Sequence, residues 1–143
     1  KAAELSAYAR IGSHGGFGPG VQFAVPIAPR GFLDTLNDAF FIEFGVDFMW
    51  AGLILPGFST APYLVVAPMG GVKWMFYITE AFAAFSAVKG GAYVSTDAST
   101  LGSLSTPLFE WTFGGVLNLN DKIGIRFEAG YPAVRIGVQI ALE

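Results

Sequence analysis

The chain has 143 residues, of which 53% are hydrophobic, 15% aromatic and only 13% charged, and its formal net charge is -3. A mean hydropathy of +0.54 excludes a disordered chain, and the acidic balance without any basic cluster excludes a nucleic-acid partner. The absence of cysteine excludes disulfides and thiolate metal sites.

So low a charged fraction is unusual for a protein surrounded by water and suggests a membrane protein. Membrane-spanning helices are nevertheless not predicted. A spanning helix needs roughly 20 apolar residues in a row, and the most apolar stretches contain Glu43, Asp47 or Lys73. A closed β-barrel is the other structure that satisfies its backbone polar groups in lipid, and its strands alternate between an apolar and a polar face. The sequence shows this alternation repeatedly.

The first half of the chain predicts four strands with a period of two residues. In chain order they are Leu5–Gly12, Phe17–Ile27, Phe40–Trp50 and Leu64–Ile78. The third is the clearest, because its even positions are all apolar whereas its odd positions include Glu43, Gly45 and Asp47.

The second half predicts four more strands of the same kind. They are Phe82–Val94, Phe109–Leu119, Ile123–Tyr131 and Val134–Ile140. The total of eight is even, as in bacterial single-chain outer-membrane barrels. The predicted fold is therefore an all-β, eight-stranded antiparallel up-and-down transmembrane β-barrel, which occupies residues 1–143 as a single domain.

The connections predict which end of the barrel faces outwards. Thr79–Ala81 and Asn120–Asp121 are suited to tight turns, whereas Ala51–Ala61 and Ser95–Thr106 are long and rich in small residues. Outer-membrane barrels have short periplasmic turns and longer external loops, so both termini are predicted to be periplasmic. Ala28–Asp38 does not fit this scheme well, because it is long for a periplasmic turn.

The charged face of the strands is predicted to point into the barrel. That face carries about one charge per strand and is otherwise small, whereas strands facing water carry far more charge. The interior of an eight-stranded barrel has room for side chains only, and buried charges must be paired. We therefore predict a plugged polar lumen with a charge network of Arg10, Glu43, Asp47, Lys73, Lys89, Glu110, Arg126, Glu128 and Arg135. The alternative is a polar track for ions or a small solute.

The last hairpin predicts a specific register. Its inward residues are even-numbered before the turn and odd-numbered after it, which a two-residue turn at Tyr131 and Pro132 satisfies. This register places Glu128 opposite Arg135, within reach of an ion pair. It also places Arg126 opposite Gly137, which is expected to leave room for Arg126 to reach towards Glu110 or Asp47.

Aromatic residues near the strand ends are predicted to form two girdles at the membrane interfaces, as in other transmembrane barrels. The residues assigned to these girdles are Trp50, Trp74, Phe82, Trp111 and Tyr131.

Catalytic and metal sites are not predicted. His14 is the only histidine, and its neighbour Ser13 would point to the opposite side of a strand end, the wrong geometry for a nucleophile and its base. Glu43 and Asp47 lie roughly 13 Å apart along one strand, too far for an acid and base that share one bond. We therefore expect neither enzymatic activity nor a cofactor or metal.

Several segments resemble the small outer-membrane barrels of the OmpA/OmpX/OmpW type. They are Pro68–Trp74, Tyr77–Phe82, the pair Gly90 and Gly91, Leu119–Pro132 and Arg135–Val138. The resemblance implies a bacterial outer-membrane location, and the start at Lys1 is expected for a mature chain whose signal peptide has been removed. The chain departs from that class at its end, where Ile140–Glu143 contains no aromatic residue.

Two functions from different classes remain open at this point. The first is a structural or interaction role, in which the loops or the lipid-facing wall bind membrane lipid, lipopolysaccharide or a larger outer-membrane protein assembly. The second is a narrow channel or carrier for small solutes, which an OmpW-like resemblance implies. A membrane-embedded lipid-modifying enzyme is less favoured, since His14 has no catalytic partner.

Overall fold

A computed structural model describes residues 3–12, 16–28, 31, 33–51, 63–95, 106–131 and 133–142. These residues form eight antiparallel strands closed into one barrel. The strands are β1 (Ala3–Gly12), β2 (Phe17–Pro26), β3 (Asp38–Ala51), β4 (Tyr63–Tyr77), β5 (Phe82–Ser95), β6 (Thr106–Asn118), β7 (Ile123–Tyr131) and β8 (Ala133–Leu142). Within the described ranges, no helix has the length and apolar character that a membrane span requires.

Each strand pairs with its neighbours in sequence, and β1 pairs with β8 to close the barrel. The predicted fold class is thus confirmed, and the eight predicted strands correspond to the observed ones within a few residues. Closure leaves no unpaired sheet edge, which is the condition for a sheet to lie in lipid.

The apolar and polar residues that alternate in the sequence are, respectively, exposed and buried in the structure. In β1 and β7, for example, buried and exposed residues follow one another with a period of two. The exposed set is apolar and includes Phe44, Phe113 and Ile136, whereas the buried set contains the charges. This pattern confirms the predicted assignment of the two faces. Its physical reason is that a small closed barrel can bury only one face of each strand.

Two apolar clusters also lie inside the barrel, along β2 to β6. One contains Phe41, Met75 and Phe85, close to the end that carries the turns 78–81 and 119–122, here called the turn end. The other contains Met49, Met69 and Leu108, towards the opposite end. In β3 the charged residues Glu43 and Asp47 lie between the two clusters.

The turns at the turn end follow local hydrogen-bond chemistry. The Thr79 hydroxyl accepts a bond of 2.9 Å from the Phe82 amide. The Asn120 side chain accepts bonds from the Lys122 amide at 2.9 Å and from the Ile123 amide at 2.8 Å. Such side-chain bonds are typical of tight Asx and Ser/Thr turns.

The long connection between β2 and β3 makes hydrogen bonds to Asp38, the first residue of β3. This carboxylate is fully buried, although it lies on the outward face of β3. Oδ2 accepts a bond of 2.8 Å from the Trp74 indole, Oδ1 accepts one of 3.2 Å from the Leu33 amide, and the Asp38 carbonyl accepts one of 2.7 Å from Gly31. Gly31 has a φ of 76°, which favours glycine. The connection thus supplies one donor to this carboxylate on the outward face, and β4 supplies another.

Candidate functional site

Among the described residues, five cationic and five anionic side chains are buried in the lumen. They are Arg10, Lys73, Lys89, Arg126 and Arg135, and Glu4, Glu43, Asp47, Glu110 and Glu128. We call these ten residues the charge network. The formal charges cancel, and each member has at least one ion pair within the network, as buried charges require.

Arg135 lies at the centre of the network. Its guanidinium binds Glu110 at 2.5 and 2.9 Å, Asp47 at 2.8 Å and Glu128 at 3.1 Å. Glu128 stands directly opposite Arg135 in the β7–β8 register. The predicted register of the last hairpin is thus confirmed, whereas Pro132, assigned to its turn, lies outside the described residues.

Arg126 corrects one sequence-based expectation. It stands opposite Gly137 as predicted, but its guanidinium binds Glu43 at 2.8 Å and Glu128 at 2.8 Å instead of Glu110 or Asp47. Arg135 already occupies those two carboxylates.

Gly137 has a packing role between β1 and β8. A Cβ added at Gly137 would lie 2.1 Å from the Ala7 carbonyl and 2.5 Å from Cα and Cβ of Tyr8. Gly137 is therefore required by the close approach of β1 to β8. The Tyr8 hydroxyl donates a bond of 2.5 Å to Asp47, so this close approach also positions a ligand of the network.

The two lysines extend the network in different directions. Lys73 binds Glu4 at 2.5 Å and Glu43 at 3.3 Å, and its ammonium lies 4.5 Å from the centre of the Phe41 ring. Lys89 binds Glu128 at 2.7 Å and lies 3.7 Å from Glu43. Glu43 and Glu128 thus each form ion pairs with several cations and connect different parts of the network.

Arg10 and Arg135 share one carboxylate. They stand directly opposite each other in the β1–β8 pairing, and each has a nitrogen 2.8 Å from Oδ2 of Asp47. Arg10 also lies 3.3 Å from the Tyr93 hydroxyl, beside the apolar cluster of Met49. Burying two guanidinium groups and one carboxylate costs desolvation free energy, which is repaid only where the geometry is good and further hydrogen bonds satisfy the remaining donors and acceptors.

Glu4 was missed by the sequence analysis. The first predicted strand began at Leu5, but β1 begins at Ala3 and Glu4 points inwards with Tyr8 and Arg10. Extending the alternation by one residue would have identified it. Its addition balances the charges of the lumen.

The residues assigned to the aromatic girdles all lie on the outward wall. Trp50, Trp111 and Tyr131 are exposed, whereas Trp74 and Phe82 are partly covered. Trp74 stacks on Phe40 with ring centres 5.2 Å apart, and Phe82 stacks on Phe127 at 6.3 Å. Their position at the membrane interface stays a prediction.

Two of the tryptophan indole groups have partners within the protein. Trp74 donates to Asp38, and Trp111 donates to the Ser86 hydroxyl at 3.1 Å. Their N–H groups are therefore satisfied without water or lipid headgroups. Neither tryptophan needs to lie at the interface for the sake of its hydrogen bond.

No protein-family model matches the sequence, and no curated protein matches it either. Solved structures do match. A de novo designed transmembrane β-barrel has a TM-score of 0.58 at 13% identity over 99% of this chain and 95% of that one. The outer-membrane protein Ail of Yersinia pestis, in phospholipid bilayer nanodiscs, has a TM-score of 0.57 at 10% identity over 99% of both chains.

The fold is that of a small outer-membrane β-barrel. At these identities the likeness concerns the fold alone, and at that level the resemblance to small outer-membrane barrels is confirmed. The outward Phe, Ile and Val side chains, which would be unfavourable in water, have an apolar environment in such a setting.

The remaining residues considered in the sequence analysis are His14 with Ser13 and Glu43 with Asp47. His14 and Ser13 lie outside the described residues. Glu43 and Asp47 both belong to the charge network, where cations occupy their oxygens. In the part of the chain that the structure describes, no three histidine or acidic residues are arranged to hold a metal ion.

Proposed function

We propose that this protein is an integral protein of a bacterial outer membrane whose barrel is closed, and that it acts as a structural or interaction component. The charge network carries this proposal. Ten balanced charges meet at 2.5 to 4.0 Å in the lumen and have side-chain exposures of at most 10%. A lumen filled in this way supports a closed barrel over a channel, because the interior of an eight-stranded barrel has room for side chains only.

The wall is the first surface available for an interaction. Strands β3 and β6 present large exposed side chains, among them Phe44, Phe109 and Phe113. No lysine or arginine lies on the outward face of the described strands, where all five strand cations point inwards. The wall is therefore suited to acyl chains of membrane lipid or lipopolysaccharide, or to the apolar wall of a larger assembly.

The long connections are the second surface. Residues 52–62 and 96–105 contain one charged residue, Asp97, and otherwise apolar and small polar residues. Recognition through these segments would depend on neutral polar and apolar contacts, because they offer no cation to an anionic lipopolysaccharide core.

Site-specific photo-crosslinking in intact membranes tests this proposal. A photoreactive phenylalanine analogue would replace Phe44 or Phe113 on the wall, or Ser103 in the second long connection. We expect a discrete protein adduct from at least one of these positions. A crosslinker at exposed Ile78, beside the turn, is the matched control.

The opposing result would be adducts with lipid only, from every position, together with steady single-channel conductance of the purified protein in planar bilayers. That combination would favour the narrow channel over an interaction role.

A further inference from the structure

A row of uncharged polar side chains lies beside the charge network. Ser6 of β1 stands directly opposite Gln22 of β2 and directly opposite Gln139 of β8, and all three are buried in the lumen. We call these three residues the polar row. Gly45 and Gly124 stand opposite the two glutamines on the next strands, so the row is bounded by residues without side chains.

The amides of the two glutamines are not satisfied by the protein. Gln22 has an exposed fraction of 1%, and among the described residues neither its Oε1 nor its Nε2 has a hydrogen-bond partner. The same holds for Oε1 of Gln139. Buried amides in native proteins are almost always hydrogen-bonded to protein or to ordered water. The polar row therefore needs a ligand that both donates and accepts hydrogen bonds.

The surrounding charges argue for a neutral ligand. The charge network is balanced, so an ion at the polar row would introduce an uncompensated buried charge. The nearest carboxylate along β1 is Glu4, which Lys73 already binds at 2.5 Å. A cation would have to compete with that ammonium.

Solvent access to the polar row differs between the two ends of the barrel. Glu4 of the charge network and Gln139 of the polar row each have an exposed fraction of 8%. The other nine members of the charge network have at most 2%. Both Glu4 and Gln139 lie in the halves of β1 and β8 nearest the turn end. At the turn end the cluster of Phe41, Met75 and Phe85 lies along β2 to β6, so the more exposed Glu4 and Gln139 mark the side of β1 and β8. Towards the other end, beyond the network, lies the cluster of Met49, Met69 and Leu108.

We propose that the polar row binds a short file of ordered water molecules that enters from the turn end past Glu4 and Gln139 and stops at Gln22. Water supplies both functions that the amides lack: it donates to the two Oε1 atoms and accepts from Nε2 of Gln22. Gly45 keeps the file in place, because a Cβ there would lie 2.6 Å from Cγ of Gln22 and displace its amide. This goes beyond the proposed function, since it assigns a one-sided hydrated site to a barrel that does not conduct.

Single cysteines test access to this site, since the chain contains no native cysteine. Gln139→Cys and Gln22→Cys would be prepared in nanodiscs and treated with methyl methanethiosulfonate, with modification followed by mass spectrometry. Thr112→Cys is the control, because Thr112 is also fully buried in the lumen but its hydroxyl donates to Glu128 at 2.8 Å.

We expect Gln139→Cys to react fastest, Gln22→Cys more slowly, and both at least tenfold faster than Thr112→Cys. All three should react equally after heat unfolding. Equal slow rates in the folded barrel would overturn the water file, and a faster reaction at Gln22→Cys than at Gln139→Cys would overturn entry from the turn end.

A measurement on the unaltered protein decides the question if a variant does not fold. Cross-relaxation between water and the side-chain amide protons of Gln22 and Gln139 should be observed by NMR in nanodiscs. Gln22→Leu should leave the Gln139 signal in place, since entry lies on that side. The absence of water cross-peaks at both wild-type amides would overturn the proposal.

Discussion

Glu128 and Arg135 face each other across the β7–β8 hairpin, with Nη1 of Arg135 3.1 Å from Oε1 of Glu128. The same guanidinium also binds Glu110 and Asp47. Arg135 therefore neutralises carboxylates from three other strands and connects the hairpin to the far side of the lumen. The consequences of its removal extend beyond the one predicted pair.

Replacing Arg135 with methionine is expected to lower the free energy of unfolding by roughly 3 to 5 kcal/mol, because it leaves buried carboxylates without their cation. The measurement is urea-induced unfolding of the barrel in lipid vesicles. Adding Glu110→Gln should recover more of the loss than adding Glu128→Gln, since Glu128 keeps Lys89 at 2.7 Å and Arg126 at 2.8 Å. Equal recovery by both second substitutions would contradict a central role for the Arg135–Glu110 pair.

Phe44→Arg tests whether the wall lies in lipid. Phe44 is in the middle of β3 with an exposed fraction of 57%. If it lies near the bilayer midplane, the change should cost roughly 2 to 4 kcal/mol in free energy of unfolding. Ile78→Arg, just beyond β4 at the turn end, should cost about 1 kcal/mol or less. Similar costs at both positions would argue against a membrane-embedded wall.

Lys73→Met tests whether the charge network closes the barrel or lines a pore. The substitution removes the cation that Glu4 binds at 2.5 Å, and we expect roughly 3 to 5 kcal/mol less free energy of unfolding. Planar-bilayer recordings should show no steady conductance for the wild type or for this variant. Lys122→Met in an exposed turn, the control, should change the free energy by about 0.5 kcal/mol or less. Stepwise currents from the wild type would promote the channel hypothesis.

Gly137→Ala tests the close approach of β1 and β8. The added Cβ would meet the Ala7 carbonyl and the Tyr8 backbone, which cannot rotate away, so the change is expected to cost about 1 to 3 kcal/mol. Gly90→Ala is the control, because its Cβ would meet nothing closer than the Leu108 carbonyl at 3.9 Å. Heat-modifiable gel mobility reports the closed barrel for both. An unaffected Gly137→Ala barrel would show that the strands can separate there.

The connection between β2 and β3 shows where local sequence reasoning stops. Its length is unusual for a turn of this class, and its own residues account for only part of the hydrogen bonding around Asp38. The other part is tertiary. Asp38 lies on the outward wall, and its carboxylate accepts a hydrogen bond from the Trp74 indole of the adjacent strand. Trp74 is far from Asp38 in sequence, so no local pattern connects the two.

The sequence by itself determined the strand number, the face of each strand and the register of the last hairpin. These properties follow from a period of two and from turn length, which act between neighbouring residues. Apart from the Glu128–Arg135 pair within that hairpin, only the tertiary structure decided which inward charges meet. Arg126 binds Glu43, Arg135 binds Glu110 and Lys73 binds Glu4 across the lumen. Those pairings depend on how far the strands are displaced when β1 closes on β8, because the stagger of a closed barrel sets which inward side chains share a level.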